Sequence, residues 1–154
     1  MRRLLPYWWF KVGLGALFVF LLIQFVPYRV DNPPGRDEPR WDSKRTEVLA
    51  MRACSACHTN QTKVLWFEHV APVSWYVANH VKEGRAALNF DAWSTAAGEG
   101  SDEPWEPLQE GLMPPAYYHY LGLHSDTKLT AAETRELVAG LEKTVAQDPP
   151  SGGG

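Results

Sequence analysis

The chain holds only two cysteines, Cys54 and Cys57, and His58 stands directly behind the second, in the stretch RACSACHTN at residues 52–60. No other feature limits the fold so sharply. The spacing asks for a helix, where C-x-x-C puts both sulfurs on one face about a turn apart. Four uses compete for such a motif: a redox dithiol, half of a zinc site, a disulfide, and covalent attachment of haem. A thioredoxin-like dithiol belongs in a βαβ context, and no segment here shows sustained period-2 alternation. Zinc needs a fourth ligand, usually from a second C-x-x-C or H-x-x-H pair. A disulfide over two intervening residues closes too small a loop to stabilise much. C-x-x-C-H is the c-type haem attachment pattern, two thioethers with the histidine as proximal ligand. One motif implies one haem c, bound through Cys54 and Cys57 with His58 on iron.

The N-terminus bears on where those thiols reside. It reads MRRLLPYWWFKVGLGALFVFLLIQFVPYR, and between Val12 and Val26 the only polar side chain is Gln24. A bilayer core requires roughly 20 apolar residues in a helix. The expectation is one transmembrane helix within residues 1–28, with Tyr7, Trp8 and Trp9 at one interface and Tyr28 and Arg29 at the other. A cleaved signal peptide fits less well, because FVPYRV offers no small-residue cleavage site. Arg2 and Arg3 would keep the N-terminus cytoplasmic. The remainder would then be exported across a bacterial inner membrane into the periplasm, an oxidising compartment.

Charge narrows the partners. Of the 15 Lys and Arg residues, Arg2, Arg3 and Lys11 lie in the first 28 residues, which hold no acidic residue; this leaves 12 basic against 18 acidic after residue 28. A nucleic-acid surface needs clustered cations, so nucleic acid is excluded as a partner.

Residues 29–40, RVDNPPGRDEPR, read as an extended Pro-rich linker. The folded domain is expected at 41–146, and 147–154 as a flexible tail. Helices are predicted at Ser43–Ala53, capped by Asp42 or Ser43 with Val48, Met51 and Ala50 inward, and at 73–83, ending at Gly84 as C′ residue. The second would bury Val73, Val77 and Val81. A short third helix would start near Asp102, with Pro104 in its first turn, and stop at Gly111. The last would open on a Thr130–Glu133 capping box and bury Leu137, Leu141 and Val145. The fold class is therefore all-α: a small cytochrome-c-like domain around one covalent haem, preceded by the membrane helix. Such a domain has a thin core, and seven Trp, six Tyr and six Phe suggest an interior built around a flat macrocycle.

A second axial ligand is needed to settle function. Met1 lies at the membrane end and Met51 inside the first helix, which leaves Met113 in GLMPP, fifty-five positions after His58. Pro114 and Pro115 would stiffen its loop, and His/Met ligation is a common haem c arrangement. His69, His80, His119 and His124 are the alternatives, His119 the closest behind the loop. Trp66, Trp75, Trp93 and Trp105 read mainly as core, with an indole, Arg85 or Asn89 available to a haem propionate.

These pieces together resemble the bacterial haem-binding domain family of small CxxCH proteins. They are Cys54–Asn60, APVSW at 71–75, EGR at 83–85, LNFDAW at 88–93, MPP at 113–115 and LTAAE at 129–133, with NPP at 32–34 ahead of them. The run VLWFEH at 64–69 departs from the Trp-Pro-Trp-Tyr-like run of that family. The resemblance implies a helical haem-binding fold and leaves activity open. With both axial positions filled by His58 and Met113, the expected function is electron transfer without catalysis. The partner would be a membrane redox complex or another periplasmic donor or acceptor. The alternative is a ligand-binding sensor or peroxidase-like protein with an open sixth position.

Overall fold

The computed structural model describes residues 7–95 and 103–150. All regular structure among them is helical: α1 (Tyr7–Ile23), α2 (Lys44–His58), α3 (Val73–Ala87), α4 (Glu106–Gln109) and α5 (Ala131–Gln147), joined by short 3₁₀ turns. The only strand-like pairing described is a single bridge between Asp37 and Ala92. The all-helical expectation holds.

The transmembrane helix does not. Among the described residues no helix is long and apolar enough to cross a membrane. α1 has 17 residues, about 26 Å at a rise of 1.5 Å per residue, against a hydrocarbon core of about 30 Å. The apolar run was read as one continuous helix, but the chain turns at Gln24–Val26, ahead of Pro27, which disfavours α geometry in the residue before it. Gln24 helps to end the helix. Its amide donates to the carbonyls of Phe20 and Ala71, and its oxygen accepts the Ala71 amide at 3.0 Å. The polar side chain is thus a bracket for the APVSW segment.

The contacts divide the chain into two compact units. One comprises residues up to Val30 together with Val64–Asn79, and the other Asp31–Lys63 with His80 onward. The core of the second is built from Leu49 and Ala50 of α2, Leu108 of α4, Leu137 and Leu141 of α5, and Leu88, Phe90 and Trp93 of the loop after α3. Close crossing of α2 and α5 depends on Gly140, where a Cβ would land on the side chain of Thr46.

The last helix matches its expectation: Thr130 and Glu133 form the capping box, Leu137 and Leu141 are buried, and Val145 packs against the core. Ser43 caps α2 by accepting the Thr46 amide, as expected. The inward face of α2 is Thr46, Leu49, Ala50 and Ala53, whereas Val48 is exposed. On α3 Val81 is buried as expected and Val77 is half-buried, but Val73 is exposed and Ser74 and Ala78 are buried as well. α4 has only four residues, with Pro107 in its first turn, and Asp102, the expected start, lies outside the described residues.

Residues 29–40 have no regular secondary structure, but they lie bonded to the second unit from Asp31 onward. Asn32 exchanges hydrogen bonds with the backbone of Thr62, Arg36 N–H donates to Asp91, and Asp37 accepts the Trp93 and Ser94 amides. At the other end, Asp148 accepts the Arg40 amide at 2.7 Å. Residues 151–154 of the expected tail lie outside the described residues.

Candidate haem site

α2 continues five residues beyond the predicted end and carries the whole motif. Cys54, Cys57 and His58 occupy its last turns. Cys54 and Cys57 are half-buried, and no disulfide joins them. Burial, with a smaller effect of Cys57, pushes the Cys54 thiol up to about 12. It therefore stays protonated at neutral pH. Among the described residues no three His, Cys, Asp or Glu side chains gather as ligands for a free metal ion.

His58 is held on two sides. Its Nδ1 lies 2.9 Å from the carbonyl oxygen of Leu88, and its own carbonyl accepts the Phe90 amide at 2.8 Å. In the neutral ring this bond puts the proton on Nδ1 and leaves the lone pair on Nε2. Burial lowers the imidazole pKa, opposed by the carbonyls of Leu88 and Gly84. A ring with one nitrogen anchored by a carbonyl is the arrangement that orients histidine as a metal ligand. The donor set therefore fits haem: two thiols not joined in a disulfide and an oriented imidazole on one helix face.

The loop after His58 is locked by a polar cluster. Arg85 on α3 donates from Nε to the Thr59 carbonyl at 2.7 Å, from Nη1 to the Asp31 carbonyl, and from Nη2 to Asn32 Oδ1 and Thr62 Oγ1. Asn89 donates to Asn60 Oδ1 and accepts the Asp91 amide, while Asp91 accepts the Asn60 amide at 2.8 Å. Arg85 and Asn89, read as possible propionate partners, are thus spent within the protein. Together they brace residues 59–62, directly after His58.

Gly84 was expected as the residue ending α3. It lies within that helix, and a Cβ there would sit 2.7 Å from the Cys57 carbonyl oxygen and 3.0 Å from Cys57 Cβ. Glycine at this position lets α3 lie directly on the cysteine motif. The sequence offered the glycine but no signal for its partner. The Leu88 carbonyl was equally invisible, since a backbone group leaves no mark in residue identity.

Met113 is carried by a separate segment, the turn after α4. Gly111 adopts φ 70°, the left-handed region suited to glycine. The amides of Leu112 and Met113 both donate to the Pro107 carbonyl, at 2.8 and 3.0 Å. The Met113 side chain is 41% exposed. Of the alternative histidines, His119 places Nε2 3.0 Å from the Thr127 hydroxyl, His124 stacks on Tyr118, and His80 meets the Tyr117 ring edge-on. Trp93 is core and donates its indole N–H to the Asp148 carbonyl.

No curated protein and no solved structure matches the chain. The model of one family, described as a haem-binding domain, matches residues 18–143, which includes α2, α3, α4 and most of α5. With that match over most of its length, and with a donor set suited to the group, this chain belongs to the haem-binding domain family.

Proposed function

We propose that the protein is a mono-haem c-type electron carrier. Cys54 and Cys57 would hold the macrocycle through thioethers, His58 would bind iron through Nε2, and Met113 would supply the second axial ligand. When bound, haem provides a one-electron couple at iron. The chain's part is to fix the imidazole, offer both thiols on the same helix face, and present a thioether from a pinned loop. Filling both axial positions leaves none for substrate, which favours electron exchange over catalysis. The reading places the haem domain on the exported side of a bacterial membrane, where it would meet a membrane redox complex or a soluble donor or acceptor. The observation that carries it is the His58–Leu88 hydrogen bond, which engages Nδ1 and leaves Nε2 as the ring nitrogen available to iron at the end of the cysteine helix.

Optical spectroscopy of the holoprotein tests the reading. The ferric wild type should show the weak long-wavelength sulfur-to-iron band, and Met113→Ala should lose it and bind carbon monoxide when reduced. A wild type that lacks the band and takes up carbon monoxide readily would favour an open-site sensor or peroxidase-like protein. In a denaturing gel, haem should remain on the wild type and be lost from the Cys54→Ala/Cys57→Ala variant.

A further inference from the structure

Between Arg85 and Lys128 the chain has no Lys or Arg, while it has seven acidic residues: Asp91, Glu99, Asp102, Glu103, Glu106, Glu110 and Asp126. All 15 basic residues lie outside this stretch, and Met113 lies inside it. Glu106 and Glu110, on α4 and at its end, and Glu103 just ahead of it, are exposed. Among the described residues no Lys or Arg pairs with any of these three. Their field therefore reaches into solvent, over roughly 8 Å at physiological salt.

Exposed apolar side chains follow them in the chain. Leu112 is 61% exposed, Tyr120 64% and Tyr117 42%. Apolar and aromatic groups beside charges of one sign are the make-up of a transient protein interface, where the charges steer encounter and the apolar groups make contact. We propose that this face, α4 with the Met113 loop and Tyr117 and Tyr120, docks a redox protein through a basic surface of that partner. The inference rests on the electron-carrier reading and names the contact that reading needs. An acidic partner is disfavoured because no cation in residues 86–127 could meet it.

The test uses reduced holoprotein and two outer-sphere oxidants of opposite charge, tripositive tris(phenanthroline)cobalt(III) and trinegative ferricyanide. Each takes one electron from the protein, so only the charge met at the surface differs. Raising salt should slow the cobalt reaction about tenfold and speed the ferricyanide one. The double variant Glu106→Gln/Glu110→Gln should flatten both dependences. Glu38→Gln/Glu142→Gln, which removes two exposed acids elsewhere and changes net charge equally, should leave them as in the wild type. If the two variants behave alike, or neither rate responds to salt, the docking face is wrong. A wild type with this salt pattern but no sulfur-to-iron band would sink the Met113 assignment alone.

Discussion

His58 Nδ1 donates to the Leu88 carbonyl at 2.9 Å, and two residues on, Phe90 returns a hydrogen bond to the His58 carbonyl. Residue 58 ends α2 and residues 88–90 follow α3, so this pair of bonds joins the cysteine helix to LNFDAW. Phe90, 1% exposed, lies beneath with its ring centroid 6.4 Å from that of His58. The orientation of the His58 ring is therefore tied to the hydrophobic core.

Gly84→Ala separates packing from propensity. Alanine in a helix interior is favoured over glycine by about 1 kcal/mol. Here the added methyl meets backbone, the Cys57 carbonyl at 2.7 Å, which cannot rotate aside. The substitution is expected to lower the thermal midpoint and to reduce covalently retained haem several-fold, measured by haem staining per mole of protein. Unchanged haem retention would show that α3 does not set the position of Cys57.

Arg85 bridges the segment at Asp31–Asn32 to the backbone of Thr59 and the hydroxyl of Thr62. Arg85→Ala removes these bonds and strands several acceptors, at a cost of about 2–4 kcal/mol. Arg85→Lys keeps the charge but not the planar fork, so it should recover less than half of that loss. Urea unfolding of the three holoproteins checks the order. A lysine variant equal to wild type would mean that charge alone suffices.

Glu133 predicts an acid-side change in stability. Hydrogen bonds from Thr130, with the Arg52 guanidinium, hold its carboxyl at about 2, below the ordinary 4.5. The ionised form is thus favoured in the folded state. Its stabilisation is complete above pH 4.5 and is lost as pH falls through the interval down to about 2. Thermal midpoints should therefore converge for wild type and Glu133→Gln as pH drops through this window, and differ most at neutral pH. A constant difference from pH 7 to pH 2 would contradict the assignment.

Much of the site was legible from local pattern. CxxCH needs only helical spacing, and the Thr130 capping box with Leu137 and Leu141 needs only one helix and its face. The helix ends and inward faces were harder. Gly84 has the same identity whether it ends a helix or admits a neighbouring one, and only the nearness of Cys57 distinguishes the two. Val48 and Val73 looked like core by hydrophobicity, yet both are exposed, while Ala50, expected inward, is buried and so is Ala78, which was not singled out.

By itself, the sequence determined which side chains are candidates for the haem site: two thiols and an imidazole at fixed spacing, with a methionine before two prolines as a further candidate. It also determined the helical class and an acidic stretch free of Lys and Arg. The tertiary structure decided what long-range contacts decide. It ended α1 at Gln24 through a bond to Ala71, assigned Arg85 and Asn89 to the protein's own loops, and chose the tautomer of His58 through Leu88. These outcomes depend on backbone groups distant in sequence, which residue identity does not encode.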